Sequence, residues 1–394
     1  MGSLSFNYIV SFIVLLLWAV VVSAGKTFNV KDYGAKTDGR TDCTSAILSA
    51  WKEACEFPGD ATVYLPPGKY MSAMIMMSGP CQGDMTFRLD GAMRGTKDLS
   101  KFPRNNWVAF QFLSNFKLTG NGVFDGMGRS TWAQNKRVGK VFPTSIQFTS
   151  LNDSLVEGIR SKNAKMFHMM VYRCSKLKID KVTIQAPANS PNTDGIHVSL
   201  SNDTQITNTN IRTGDDCISI GQTNRGLYIS DVRCGPGHGI SVGSLGKFED
   251  DKDVTDLYLK NCELSRTTNG LRIKTWQKSY QMTCSNFTYE NIIMKKVFNP
   301  IIIDQEYCPN GVGKCGGKST SSQVKIVDVT FKNIKGTSES PTAINLLCSQ
   351  SNPCKGLVFR NIDFKHTGSA VANSTCLNVA NPKISNVQPP LCQN

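Results

Sequence analysis

The chain has 394 residues, of which 40% are hydrophobic and 19% are charged, and its formal net charge at pH 7 is +14. A basic protein can bind a polyanion, but the absence of a run of Lys or Arg and of a recognisable nucleic-acid-binding module argues against a nucleic-acid partner. We expect the partner to be an acidic polysaccharide outside the cell, and a basic surface without such a partner is the alternative.

The first 24 residues predict a secretory signal peptide. The segment from Ile9 to Val22 is mostly apolar and uncharged, and Val22-Ser23-Ala24 supplies the small residues of a cleavage site. A signal anchor is disfavoured, because the apolar run is shorter than the about 20 residues that a membrane-spanning helix needs. We therefore expect a secreted mature chain, residues 25–394, that forms one domain and has no membrane segment.

A helix is predicted near the start of the mature chain. Thr41 or Asp42 can cap a helix that runs to about Phe57. We expect this helix to cover the open end of a stack of strands, where backbone groups would otherwise be unpaired. Its apolar face consists of Ala46, Ile47, Ala50, Trp51 and Ala54.

Most of the remaining chain repeats one strand pattern, in which apolar and polar residues alternate and an Asn or Asp usually follows. The alternation predicts strands, and Asn or Asp tolerates the left-handed backbone of a turn. The spacing of 23 to 42 residues suits coils with turns of variable length. We therefore predict an all-β fold, a parallel β-helix, rather than a sandwich or a propeller. The turn residues are Lys181, Asn208, Asp231, Asn261, Asn291, Asn333 and Asn361.

A second repeat carries polar residues at matching positions. Its copies are Asp194–Val198, Asp216–Ile220, His238–Val242 and Asn269–Ile273, and the first three begin 22 residues apart. Equivalent positions on successive coils lie about 4.8 Å apart, so Asp194, Asp216 and His238 would form a column.

Strand alternation separates two sets of residues within these four copies. The inward set is apolar and comprises Ile196, Val198, Ile218, Ile220, Ile240, Val242, Leu271 and Ile273. The outward set is polar or small and comprises His197, Ser199, Ser219, Gly221, Ser241, Gly243, Arg272 and Lys274. We expect the small outward residues to form the floor of a groove, with the two cations at its end.

The column and its neighbours suit hydrolysis of a glycosidic bond. Such a reaction needs one protonated carboxyl and one ionised carboxylate, and repulsion among Asp194, Asp215 and Asp216 raises at least one pKa. Arg272 and Lys274 could hold a substrate carboxylate. Each group alone is typical of a solvated turn or an exposed strand face. Their coincidence at one template position on three coils favours the joint interpretation.

The same residues carry a resemblance to a known family. Asn192-Thr193-Asp194, Gly214-Asp215-Asp216, Gly237-His238-Gly239 and Arg272-Ile273-Lys274 resemble the four signature motifs of the polygalacturonases, family 28 glycoside hydrolases. The resemblance implies a right-handed parallel β-helix. It also implies an inverting hydrolase that cleaves α-1,4-galacturonan (polygalacturonic acid, pectin) without a metal or other cofactor.

The resemblance also implies roles for the individual residues. Asp215 matches the general acid, Asp194 and Asp216 match the pair that activates water, and His238 matches the residue that supports the acid. Arg272 and Lys274 match the groups that bind the uronate carboxylate, and Tyr307 resembles a subsite tyrosine. Stacking places Asp194 and Asp216 about 5 Å apart, nearer the spacing of retaining enzymes, so inversion rests on the resemblance.

Finer resemblance points to one branch of the family. The stretches Gly237–Gly246 and Asn269–Trp276 are most similar to plant pollen-type exopolygalacturonases, which implies exo action in the plant cell wall; endo action is the alternative. A pectate or pectin lyase and a non-catalytic, pectin-binding β-solenoid are the rival functions. We expect a monomer.

Cysteines and sequons fit an exported protein. The chain has 14 cysteines, which predict several disulfides in a secreted chain. Short spacings favour the pairs Cys308–Cys315, Cys348–Cys354 and Cys376–Cys392, and Cys217–Cys234 could join adjacent coils. Glycosylation sequons begin at Asn152, Asn202, Asn286 and Asn373.

Overall fold

The computed structural model describes residues 25–135, 142–309 and 321–392. The predicted signal peptide and Cys315 lie outside these residues. No helix in the described ranges is long and apolar enough to cross a membrane. The helices are α1, Thr44–Cys55, and α2, Trp132–Asn135, and short 3-10 helices span Val30–Tyr33, Leu99–Lys101 and Gly128–Ser130.

Strands form most of the structure. The strands β1 to β35 are, in chain order, Lys26–Asn29, Asp38–Asp42, Ala61–Leu65, Lys69–Ser72, Ile75–Ser78, Met85–Leu89, Ala92–Gly95, Asn106–Gln111, Lys117–Thr119, Val123–Asp125, Thr144–Thr149, Asn152–Glu157, Arg160–Lys162, Met169–Tyr172, Ser175–Asp180, Thr183–Gln185, Ile196–Ser199, Gln205–Thr207, Asn210–Arg212, Ile218–Ile220, Asn224–Ser230, Arg233–Cys234, Ile240–Leu245, Val254–Lys260, Glu263–Ser265, Asn269–Trp276, Met282–Val297, Asn299–Tyr307, Val324–Ser338, Thr342–Leu347, Cys354–Lys355, Val358–His366, Asn373–Leu377, Val379–Ala380 and Lys383–Gln388.

These strands stack into the parallel β-helix that the repeats predict. An eleven-strand sheet contains β5, β8, β11, β14, β17, β20, β23, β26, β28, β30 and β33, and the other strands form a 24-strand sheet. Each coil contributes a strand to the eleven-strand sheet and then returns through the 24-strand sheet, so neighbouring strands are parallel, as in the pairs β17–β20 and β20–β23.

The 24-strand sheet bends at the repeated Asn or Asp, as predicted. These residues have φ between +50° and +57°, the left-handed conformation that Asn and Asp adopt more readily than most residues. The asparagine amides also form a ladder along the bend. In this ladder Asn291 donates to Asn261, Asn333 to Asn291, Asn361 to Asn333 and Asn386 to Asn361, at 3.2, 3.1, 3.0 and 3.2 Å.

The helix α1 covers the amino-terminal end of the stack. Its buried residues are the five that the apolar face predicts, and burial of a side chain such as Ile47 stabilises the fold by about 1.5–3 kcal/mol. The Trp51 ring packs edge-on against Phe110, with centroids 6.1 Å apart. The predicted cap was wrong: the N-cap is Cys43, and the Asp42 carboxylate instead accepts a hydrogen bond from the Thr44 N–H at 2.9 Å.

Three of the predicted disulfides are present in the structure: Cys217–Cys234, Cys348–Cys354 and Cys376–Cys392. A fourth, Cys55–Cys81, joins the end of α1 to a loop and was not predicted. The four sequon asparagines, Asn152, Asn202, Asn286 and Asn373, are exposed, and their glycosylation stays a prediction.

Candidate active site

The four template copies lie side by side on the eleven-strand sheet. Ile196 pairs with Ile218, Ile218 with Ile240, and Ile240 with Leu271, so β17, β20, β23 and β26 are in the predicted register. The inward residues of these copies are at most 1% exposed. The outward face of these strands and β28 is called the charged face below.

The outward row consists of His197, Ser219, Ser241 and Arg272. Ser219 and Ser241 are buried: the Ser219 hydroxyl lies 2.9 Å from Nδ1 of His197, and Ser241 donates to Asp216 at 2.8 Å. The serines therefore support polar groups above them and do not form an open floor. Burial and the charge of Lys274 lower the pKa of His197 to about 4, which keeps this imidazole neutral.

A bulge lies beside Lys274 on the charged face. The register between β23 and β26 shifts after Val242, so Gly243 and Ser244 form an irregularity beside Lys274. Gly243 has φ +107°, and a Cβ there would lie 2.1 Å from the Lys274 carbonyl oxygen, so this position requires glycine.

The three aspartates meet where the turns enter the strands. The Gly195 N–H donates to the Asp216 carbonyl at 2.9 Å, which places Asp194 on the coil beside Asp216. Asp215 lies beside them, and its Oδ1 accepts from the Asp216 N–H at 2.8 Å and from His238 Nδ1 at 3.0 Å. The structure thus brings together Asp194, Asp215, Asp216 and His238, as the sequence predicts.

The environment shifts the pKa values of Asp194 and Asp215 in opposite directions. Burial, together with the charges of Asp215 and Asp216, raises the pKa of Asp194 well above its usual range. Burial opposes ionisation of Asp215 too, but the hydrogen bond and charge of His238 outweigh it and lower the Asp215 pKa. The same bond raises the pKa of His238. In the substrate-free protein this environment therefore favours the protonated form of Asp194 and the ionised form of Asp215.

Two cations lie beside the acids. The Lys274 ammonium donates to Asp216 at 2.8 Å, and its side chain is almost fully buried. Arg272 lies 3.9 Å from the Asp304 carboxylate. The Tyr307 ring lies 5.2 Å from the Arg272 guanidinium and 5.6 Å from the Lys274 ammonium, so all three predicted binding residues are in one cluster.

Asp215, Asp216 and His238 also offer ligand atoms that lie within 4.8 Å of one another, close enough to share a metal ion. The Lys274 ammonium, however, already bonds to Asp216 at 2.8 Å, and a divalent cation would have to share that carboxylate with it. Asp215 is bonded to His238 in the same way. The carboxylates that could bind a metal ion are therefore already engaged in a salt bridge with Lys274 and a hydrogen bond with His238.

Comparison with known proteins identifies the family. Residues 55–386 match the family described as glycosyl hydrolases family 28. The chain belongs to this family. It is 41% identical over 382 residues to a polygalacturonase of Gossypium hirsutum, covering 95% of this chain and 93% of that protein. It is 42% identical over 351 residues to an exopolygalacturonase of Zea mays, covering 88% of this chain and 85% of that protein.

Solved structures of polygalacturonases have the same fold. An exopolygalacturonase from Thermotoga maritima superposes with a TM-score of 0.73 at 18% identity, covering 86% of this chain and 87% of that chain. Endopolygalacturonase I from Stereum purpureum, complexed with two galacturonate, gives a TM-score of 0.64 at 18% identity, covering 84% and 98%. The protein is thus a glycoside hydrolase with a right-handed parallel β-helix.

Sequence reasoning missed one acid that lies beside the two cations. Asp304 on β28 is in register with Lys274, and burial raises its pKa although Arg272 and Lys274 oppose this. Extending the template by one coil to Ile301-Ile302-Ile303-Asp304 would have found it. Pro300 stands where the other copies have Gly or Cys, so this copy does not fit the template at that point.

Proposed function

We propose that this family 28 enzyme hydrolyses α-1,4-glycosidic bonds of polygalacturonan with inversion, and that it acts from the chain end to release galacturonate. The observation that carries the proposal is the cluster of Asp194, Asp215 and Asp216, in which the Lys274 ammonium bonds to Asp216 at 2.8 Å and Arg272 lies on the same strand as Lys274. Carboxyls supply acid and base chemistry, and the cations select a uronate over a neutral sugar. The names of the relatives, polygalacturonase and exopolygalacturonase, agree with this substrate.

In this proposal Asp215 donates the proton to the leaving oxygen, and Asp194 and Asp216 position and activate water. In the substrate-free protein the pKa of Asp194 is raised and the pKa of Asp215 is lowered, so substrate binding must raise the Asp215 pKa before this carboxyl can act as the acid. A bound galacturonate displaces water from Asp215 and adds a negative charge nearby, and both effects raise the Asp215 pKa. His238, bonded to Asp215 at 3.0 Å, is a positioning residue that orients this carboxyl.

The salt bridge of Lys274 argues against a lyase. A lyase needs a basic residue that gives up its proton before it abstracts one from the sugar. Burial disfavours the charged form of Lys274, but the carboxylate of Asp216 outweighs burial and raises the Lys274 pKa. Lys274 therefore stays charged and suits carboxylate binding rather than proton abstraction.

Product analysis on polygalacturonic acid in the presence of a chelator tests the proposal. We expect saturated galacturonate alone from the earliest times. A ladder of oligomers would instead support endo action, an unsaturated product would support a lyase, and binding without products would support a non-catalytic solenoid. We also propose that the enzyme is secreted to the plant cell wall, and its monomeric state stays a prediction.

A further inference from the structure

A loop beyond β23 presents a cation that the proposed chemistry does not use. Lys247 and Phe248 are exposed on this loop. The buried Asp251 carboxylate accepts hydrogen bonds from the N–H groups of Lys247 and Phe248, at 2.9 and 3.2 Å. The Gly246 carbonyl also accepts from the Tyr280 N–H at 2.9 Å. These bonds fix the backbone on both sides of Lys247, so its side chain extends from a defined position.

Lys247 is connected to the charged face through two aromatic rings. Its ammonium lies 5.2 Å from the centroid of the Trp276 ring. Trp276 packs edge-on against Tyr307 with centroids 5.4 Å apart. Tyr307 in turn lies beside Arg272 and Lys274, which are the groups that bind the uronate carboxylate in the proposed function. Lys247 is therefore at the outer end of a continuous row of cations and aromatic rings.

Lys247 differs from the two inner cations in its partners. Arg272 lies beside Asp304 and Lys274 beside Asp216, so each inner cation has a carboxylate. Lys247 forms no salt bridge with any residue that the structure describes. Glu249 and Asp250 follow it in the loop and are exposed, and the Asp251 carboxylate is directed at the backbone. An ammonium without an acidic partner is suited to an anionic ligand, and the neighbouring aromatic rings can pack against the C–H groups of a sugar. The two together suit a uronate.

We propose that Lys247, with Trp276 and Tyr307, forms a second uronate-binding subsite, which binds a galacturonate residue farther along the chain than the one held by Arg272 and Lys274. The inference rests on the proposed function, since the ligand is a galacturonan. It adds a reason for the enzyme to favour long, unesterified chains: a short chain reaches only the inner cations, and a methyl ester has no charge for Lys247 to bind.

Calorimetric titration with galacturonate oligomers of two to six residues tests the subsite. The Asp215→Asn background prevents cleavage, so binding is measured even if the proposed hydrolysis is wrong. We expect Lys247→Gln to weaken binding of the longer oligomers about five-fold and to leave the dimer within two-fold, as for one exposed ion pair. Lys247→Arg should restore tight binding, and fully methyl-esterified oligomers should not distinguish the variants.

The matched control is Lys260→Gln. Lys260 also lies over aromatic rings, 5.4 Å from Tyr228 and 5.7 Å from Tyr258, but it is on the 24-strand sheet. We expect this variant to bind every oligomer as the parent does. Three results would overturn the subsite: no effect of Lys247→Gln at any length, an equal loss at every length, or the same loss in Lys260→Gln. Failure of the proposed function would be recognised separately, as absence of hydrolysis by the wild-type enzyme.

Discussion

Two columns of polar residues run along this β-helix. Both arise from the same stacking of coils, but one stabilises the fold and the other forms the candidate active site. At the bend of the 24-strand sheet, asparagines stack and each amide donates to the one on the preceding coil. On the eleven-strand sheet, Asp194 and Asp216 stack in the same manner. An amide has both a donor and an acceptor, so a stack of amides satisfies itself. Ionised carboxylates only accept hydrogen bonds and repel each other, so their stack must hold a proton or bind cations.

The comparison explains why the acidic column has so many partners. Lys274, Ser241 and His238 all bond to Asp215 or Asp216. Burial and the neighbouring charges raise the pKa of Asp194, which favours its protonated form. The asparagine column needs no such support and contributes to stability alone. A repeat fold can thus place a reactive cluster on one face while an equivalent column on another face stabilises the coils.

The largest expected difference between the columns is in catalysis. Asp215→Asn removes the proposed acid, and we expect turnover of polygalacturonate to fall at least ~100-fold while binding persists. The measurement is the rate of reducing-end release, with galacturonan binding followed by calorimetry. Asp231→Asn is the matched control, since it makes the same change at the bend, where other coils already have Asn. Unchanged turnover in Asp215→Asn would falsify the acid assignment.

The second difference concerns stability. Asn333→Ala removes two ladder hydrogen bonds and places a Cβ-bearing residue without a polar side chain at φ +54°. We expect the free energy of unfolding to fall by about 2 kcal/mol, with the activity of the folded enzyme unchanged. Denaturant unfolding measures this change.

Asn333→Gly separates the two causes, because glycine adopts this backbone conformation without strain but forms no ladder bonds. We expect it to lose about 1 kcal/mol. Equal losses in the alanine and glycine variants would show that left-handed strain contributes nothing at this bend.

The smallest expected effect is the dependence of stability on pH. The pKa of Asp194 is raised above its ordinary 3.8, so the folded protein binds a proton that the unfolded chain releases. This contribution to stability is complete below pH 3.8 and is lost as the pH rises through the folded pKa. Asp194→Asn should remove that loss, by at most about 1.4 kcal/mol per pH unit.

Melting temperatures of the wild type and Asp194→Asn, measured from pH 3.8 upward, test the prediction. Asp215 and His238 titrate in both proteins, so the comparison uses the difference between the two curves. Parallel curves would mean that the pKa of Asp194 is the same in the folded and unfolded states, contrary to the raised pKa on which the prediction depends.

The sequence was sufficient where a feature repeats. Strand alternation predicted the inward residues Ile196 to Ile273 of the template, and the recurring Asn predicted the bend. The apolar face of α1 was predicted because its packing depends on helical periodicity alone. Each of these features is local or is set by the spacing of the coils.

The sequence was insufficient where a feature depends on contacts between distant residues. The N-cap of α1 is Cys43, one residue beyond the predicted Asp42, and the Asp42 carboxylate bonds to the Thr44 N–H from the position before the N-cap. The Cys55–Cys81 disulfide joins residues separated by 26 positions, and no short spacing indicates it. The raised pKa of Asp194 depends on burial, and the lowered pKa of Asp215 depends on its bond with His238; strand alternation reveals neither.

The central claim is that the stacked carboxyls cleave the glycosidic bond by direct attack of water. Proton NMR of the earliest products from polygalacturonate tests it, because the substrate bonds are α and the first anomer records the stereochemistry. Inversion predicts that β-galacturonate appears first and then converts to the mixture. Initial formation of the α anomer would contradict the claim, since it would mean that a carboxylate, rather than water, attacks the sugar.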